Sequence, residues 1–114
     1  IVAGDGPCPS VSRTIVSTTC YAGMAAFGPL ALQSMSEVQA VMDTNAFGVL
    51  RTVQAAVPFM VKPRGRGGRI LIVGSVSATL TTPFAGAYCA SKAAVQAYGE
   101  ALRMELKPLG ISVT

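Results

Sequence analysis

The sequence predicts an α/β fold on a parallel sheet, and three observations carry that prediction. Arg69-Ile70-Leu71-Ile72-Val73 is an unbroken β-branched and aliphatic run, the pattern of a strand covered on both faces. Two long stretches with helical periodicity flank it, about 34–61 and 84–107. β-branched segments stand at both ends, Thr14 to Thr19 and Ile111 to Thr114. Strand, helix, strand, helix, strand is one half of a doubly wound sheet.

Residues 1–13 are expected to be irregular, because Gly4, Gly6, Pro7 and Pro9 break any element there. Gly4-x-Gly6 is not a dinucleotide loop: the third glycine is absent, position 9 is Pro and no strand precedes it. Thr14-Ile15-Val16-Ser17-Thr18-Thr19 has strand propensity, although its hydroxyls make it a poor central strand. Ser34-Met35-Ser36-Glu37 reads as a capping box and starts a helix. Val38, Val41, Met42, Ala46, Val49, Val53, Ala56, Val57 and Met60 give that helix one apolar face, with a bend expected at Pro58 and an end near Val61. After the central run comes a Ser/Thr-rich loop, Ser75 to Thr82, then an Ala-rich helix from Phe84 to Lys107 closed by Pro108 and Gly110.

Of the 114 residues, 51% are hydrophobic and 12% charged, which excludes disorder and leaves less charge than the roughly 25% of soluble domains. A compact state would therefore expose apolar surface, as expected of a chain with a missing partner or part. The net charge of +4 does not mark a nucleic-acid surface. Lys62, Arg64, Arg66 and Arg69 lie in one glycine-rich connector, and without them the chain is neutral. No aromatic interleaves that tract, as single-strand binding would need. Cys8, Cys20 and Cys89 are odd in number and far apart, with no His to complete a metal set, and read as free thiols in a reducing compartment. The two uncharged stretches, Thr14 to Ser36 and Ile70 to Ser91, are long enough to span a bilayer, but their hydroxyls, glycines and prolines exclude a transmembrane helix. No signal peptide is evident, so a cytoplasmic location is expected, with peripheral association with endoplasmic reticulum or lipid droplets as a variant.

The residues that carry chemistry sit on the second helix and just before it. Tyr88 and Lys92 are four apart and share a face with Val95, Leu102 and Leu106, so a cation is directed inward. An ammonium held beside a phenol favours the phenolate, which suits a group that gives and takes a proton. Taken alone, a Tyr and a Lys at this spacing are commonplace on a surface helix. Ser75, however, falls just past the carboxyl end of the central strand, where open α/β sheets place their ligand crevice. Asn45 stands on the apolar face defined by Val38, Met42 and Val49, and an amide there needs a hydrogen-bond partner. A neighbouring helix would satisfy it as well as a functional site would.

Ser75, then Tyr88-Cys89-Ala90-Ser91-Lys92 thirteen residues on, with Asn45-Ala46-Phe47-Gly48 upstream, resembles the short-chain dehydrogenase/reductase family, whose signatures are Tyr-x-x-x-Lys, a preceding Ser and Asn-x-x-Gly. The resemblance covers Cys20 to Thr114 and implies a partial Rossmann-like sheet, three-layered when complete. Within the family the chain is most similar to members acting on lipid-like substrates, such as acyl-dihydroxyacetone-phosphate reductases and the retinol and hydroxysteroid dehydrogenases. The resemblance implies that Tyr88 is the general acid/base and that Ser75 orients the substrate oxygen. Lys92 would support Tyr88 and bind the nicotinamide ribose, and Asn45 would hold a water that links Lys92 to solvent. Ala22 and Gly23 would line the cofactor. It further implies NADP(H), with NAD possible, a small carbonyl or secondary alcohol as substrate, and a homodimer or tetramer through the two long helices of the full-length protein.

Two departures stand against that pattern. Where the family has Asn-Asn-Ala-Gly, this chain has Cys20-Tyr21-Ala22-Gly23, and the strand before it is polar. The first βαβ unit, with its glycine-rich phosphate loop, has no counterpart here, so the chain is expected to be the catalytic half of an oxidoreductase, as a fragment. The competing expectation is an inactive truncated paralogue acting as a dimerisation module.

Overall fold

The computed structural model describes residues 17–21, 23–61 and 67–114. Strand β1, Ser17–Cys20, is followed by helix α1, Met35–Met42, a π-helical turn at Asp43–Phe47, and helix α2, Gly48–Met60. Strand β2, Gly68–Ile72, leads through a short 3-10 turn at Val76–Ala78 to helix α3, Gly86–Leu106, and strand β3, Ile111–Val113. The irregular reading of 1–13, the start of the first strand at 14–16, Cys8 and the basic tract 62–66 lie outside the described residues.

The sheet is parallel with β2 in the centre, flanked by β1 and β3. Its ladders run past the strand ends: Val73 N–H donates to the Cys20 carbonyl at 2.9 Å and Ile72 N–H to the Thr114 carbonyl at 2.7 Å. Register sets which side chains share a face. Thr18, Ile70 and Val113 lie side by side, as do Gly68 and Ile111, and all five are buried. Met60, Val53, Val49 and Ala46 of the first helical segment and Val95 and Leu106 of α3 pack on this same face with Cys20.

Among the described residues the central run is covered on one face. Ile70 is 1% exposed while its neighbour Leu71 is 47% exposed, because the helices described here pack against one side only. Arg69, Leu71 and Ser112 point the other way, and all three are exposed. Thr18, in the polar strand, is buried with its hydroxyl oxygen unpartnered, a burial that costs about 1–3 kcal/mol.

The first helix starts where the capping box places it: the Ser34 Oγ accepts the Glu37 N–H, and the Glu37 carboxylate accepts the Ser34 N–H, each at 3.3 Å. It is not uniform, however. At Asp43–Phe47 the hydrogen bonds open to the wider π spacing, with the Gly48 N–H donating to the Asp43 carbonyl. Arg51 ties the widened turn from outside, donating to both carboxylate oxygens of Asp43 at 2.9 and 3.2 Å and to its carbonyl at 3.1 Å. That ion pair holds the Asp43 carboxyl below the usual carboxylate range. Pro58 lies inside the last turns of α2. Just beyond, a side chain at Gly68 would collide with Met60, whose Cγ lies 2.7 Å from where the Cβ would be, so only glycine lets α2 close on the sheet.

The second long helix begins two residues later than its composition predicts. Phe84 has φ of 66°, the left-handed region, which cannot start a right-handed helix. At the other end Gly110 takes φ of 72° and caps the final turn before β3, a conformation glycine adopts without steric cost.

Candidate active site

Two loops leave the carboxyl ends of adjacent strands and are stitched together before α3. The Gly28 N–H donates to the Phe84 carbonyl at 2.8 Å, and Gly86 packs against Leu30, whose Cδ2 lies 2.9 Å from where a Cβ would stand. The left-handed turn at Phe84 delivers its carbonyl to Gly28, and α3 starts two residues on, at Gly86. Tyr88 is half-buried two residues into the helix.

Lys92 follows one turn later and is only 5% exposed. Its Nζ lies 5.9 Å from the centre of the Tyr88 ring, at the outer range of a cation–π contact. Burying an ammonium is costly unless the surroundings compensate it, so this cation occupies the interior by design of its helix face. Gly23 borders the same spot: a Cβ there would stand 3.9 Å from Nζ. Ala22 lies outside the described residues.

Asn45, in the π turn, is wholly buried and its amide is almost fully employed. The Met24 N–H donates to Oδ1 at 2.7 Å, and Nδ2 donates to the Met24 carbonyl at 2.8 Å and to the Ser91 Oγ at 2.9 Å. The Ser91 hydroxyl passes its proton to the Tyr88 carbonyl at 2.7 Å. One amide thus joins the loop after β1, the π turn and the turn of α3 between Tyr88 and Lys92. Both amide protons are committed to protein groups, so the side chain has no donor left for a water beside Lys92.

Ser75 ends the extended segment after β2, where its Oγ accepts the Ser77 N–H at 3.2 Å and caps the 3-10 turn. That bond uses a lone pair, and the hydroxyl proton stays available to donate. Ser75 also borders a cavity of about 370 Å³ that it shares with Val95, Gln96, Gly99 and Arg103 of α3. Tyr88, Lys92 and Asn45 do not line that cavity. The structure thus ties Asn45 to the Tyr88 backbone through Ser91, with Lys92 the next residue along, while Ser75 shares its cavity with the following turns of α3.

The family model for short chain dehydrogenases matches residues 19–114. The chain belongs to the short chain dehydrogenase family. It is 37% identical over 113 residues to 17-beta-hydroxysteroid dehydrogenase type 1 of Mus musculus, an alignment covering 99% of this chain and 32% of that protein. It is 41% identical over 92 residues to 3-ketodihydrosphingosine reductase of Bacteroides thetaiotaomicron, covering 81% and 34% respectively. Among solved structures, the apo form of LigO from Sphingobium sp. strain SYK-6 superposes with a TM-score of 0.83 at 36% identity, covering 89% of this chain and 37% of that one. A gluconate 5-dehydrogenase from Burkholderia cenocepacia, in complex with NADP and tartrate, superposes with a TM-score of 0.82 at 28% identity, covering 88% and 38%. The chain spans about a third of the length of the curated relatives it matches.

Short chain dehydrogenases use a nicotinamide cofactor, and the residues present fit its nicotinamide end. A buried ammonium beside a phenol and a side-chain-free Gly23 make a donor-rich wall against which a sugar hydroxyl can lie. In the sequence Ser91 stands out only as part of the Tyr88–Lys92 motif, and its signal is a lone hydroxyl in an alanine-rich stretch one position before Lys92. Asp43 and Arg51 were not readable as a pair, since eight residues is neither helical neighbour spacing.

Proposed function

We propose that this chain carries the proton-transfer half of an oxidoreductase that interconverts a neutral, apolar carbonyl compound and its secondary alcohol, with NADP(H) as partner and NAD as the alternative. The observation that carries the reading is the buried Lys92 ammonium 5.9 Å from the Tyr88 ring centre. The nicotinamide cofactor supplies or accepts the hydride. Tyr88 gives its phenolic proton to the substrate oxygen in reduction and takes it back in oxidation. Lys92 stands beside the ring and offers its N–H groups to the cofactor ribose, beside Gly23. Ser75 donates its hydroxyl proton to the substrate oxygen and so fixes the carbonyl for transfer. Asn45 holds the Met24 backbone that borders this space.

The apolar substrate class is supported by the loops on either side of Tyr88. No residue from Ser17 to Ser36 or from Ile70 to Ser91 is charged, and Met24, Phe27, Leu30, Val76, Leu80 and Phe84 are exposed there. An anionic substrate would find no countercharge in them, whereas a hydrocarbon chain would find contact area. The names of the hydroxysteroid dehydrogenase and ketodihydrosphingosine reductase relatives agree with that chemistry. A cytoplasmic location and a homodimer or tetramer through the two long helices belong to the same proposal. No helix among the described residues is long and apolar enough to cross a membrane.

The test is NADPH oxidation by the protein that carries this chain, with 2-decanone as a neutral ketone and 5-ketogluconate as an anionic one. Turnover of the neutral ketone should dominate, and Tyr88→Phe should lower it by about 10²–10⁴-fold, the usual contribution of a positioned acid/base group. Turnover within tenfold of wild type in Tyr88→Phe overturns the assignment, and preference for 5-ketogluconate overturns the substrate class.

A further inference from the structure

Resting on the reading of Tyr88 and Lys92 above, we propose that Ser91 is a positioning residue of this site: its hydroxyl locks the Asn45 amide in one orientation, and that amide sets the Gly23–Met24 backbone as the wall beside the Lys92 ammonium. Asn45 and Ser91 are both 0% exposed, so no water competes for their bonds. An amide can be turned over, exchanging its oxygen and nitrogen, and the partners decide which way it stands. Here the Ser91 hydroxyl gives its proton to the Tyr88 carbonyl and is left only lone pairs for its neighbour. It must therefore receive an N–H, and the Asn45 Nδ2 supplies it.

The Met24 backbone asks for the same orientation, its N–H donating to Oδ1 while the second Nδ2 proton reaches its carbonyl, so all three bonds act together. Met24 is gripped at both its backbone groups by one side chain from 21 residues away. Gly23, its neighbour, is the residue whose Cβ would stand 3.9 Å from Nζ. Chain direction does the rest: Tyr88, Ser91 and Lys92 occupy one stretch of α3, so the serine that reads the amide moves with the two groups whose surroundings it fixes. Removing the Ser91 hydroxyl leaves a buried N–H without an acceptor and takes away one of the three bonds that hold the amide, the other two being those to Met24. The wall beside Lys92 then loses its register, and misplacement of about 1 Å in such a site costs on the order of 10²-fold in rate.

Ser91→Ala in the protein that carries this chain should lower kcat for 2-decanone reduction by about 10–100-fold, leave KM for the ketone within about threefold, and displace the pH profile of kcat. Asn45→Ala should do the same, and the double variant should be no worse than either single one, because the two act as a unit. Independently of turnover, amide hydrogen exchange at Met24 should rise at least about tenfold in Ser91→Ala, while exchange at Val53 in α2 stays as in wild type. Ser91→Thr, which keeps the hydroxyl, should restore Met24 protection. A wild-type kcat and pH profile in Ser91→Ala, or unchanged Met24 exchange, overturns the proposal. Should Ser91→Ala fail to fold, the wild-type protein decides: side-chain N–H exchange of Asn45 as fast as that of an exposed asparagine overturns the lock, and slow exchange supports it. Tyr88→Phe separates the two readings. If it retains turnover, the catalytic assignment falls; if it is inactive while Ser91→Ala behaves as wild type, only the lock falls.

Discussion

Helix α3 runs unbroken for 21 residues, whereas the segment before it passes from α to π geometry at Asp43–Phe47 and back again. Both deliver polar groups to the interior. In α3 regular spacing is enough: residues 88, 91 and 92 fall on adjoining positions of one turn, and Val95 and Leu106 continue the buried face toward the sheet. In the first segment regular spacing does not suffice. The π turn holds one more residue than an α turn, which turns Asn45 between Met24 and Ser91 while Ala46 and Val49 stay in the core. Such π turns are rare, and Arg51 braces this one from solvent through Asp43. An unbroken helix can place groups one turn apart. A group needed at a spacing the helix does not offer requires a local defect and a brace for it.

That contrast breaks at different depths. The largest effect belongs to the regular helix: Lys92→Ala should lower turnover by about 10²-fold or more and weaken NADPH binding together with it, read from steady-state rates and a fluorescence titration. Loss of one without the other would show that the buried cation does not serve both groups. Asn45→Leu is next, and it acts on stability. The leucine leaves the Met24 N–H and carbonyl without partners, which should cost roughly 2–4 kcal/mol in urea unfolding; a cost under about 1 kcal/mol would mean that the loop after β1 does not need the amide.

Ser34→Ala removes the cap that starts the broken segment and should cost about 1 kcal/mol, with circular dichroism showing fraying of α1 and no change at the site. The smallest effect is that of the brace. Asp43 has its pKa lowered by Arg51, so the pair contributes fully above the unfolded carboxyl's pKa of 3.8 and is lost as pH falls through the lower folded value. Arg51→Ala should therefore flatten the pH dependence of stability below about pH 4 and do little at neutral pH, where both residues are solvated. A large loss at neutral pH would give the brace more weight than an exposed pair carries.

Local chemistry made much of this legible. The Ser34–Glu37 cap, the apolar row from Val41 to Met60 and the aliphatic run of β2 depend on side chains a few residues apart, and the structure has each where the pattern puts it. Phe84 departs from its pattern because a hydrogen bond to Gly28, remote in sequence, holds it left-handed. Leu71 is exposed because the described helices pack on the Ile70 side of the sheet.

The sequence by itself determined the order of elements, the parallel sheet, and the placing of Tyr88 and Lys92 on one helix face, because periodicity and capping are properties of contiguous residues. Only the tertiary structure decided that Asn45 spends its amide on Met24 and Ser91 and that Arg51 reaches back to Asp43. Those bonds are made between segments 8 to 46 residues apart, and hydrogen-bond partners at such separations are chosen by packing, which fixes positions to a fraction of an ångström that no local pattern encodes.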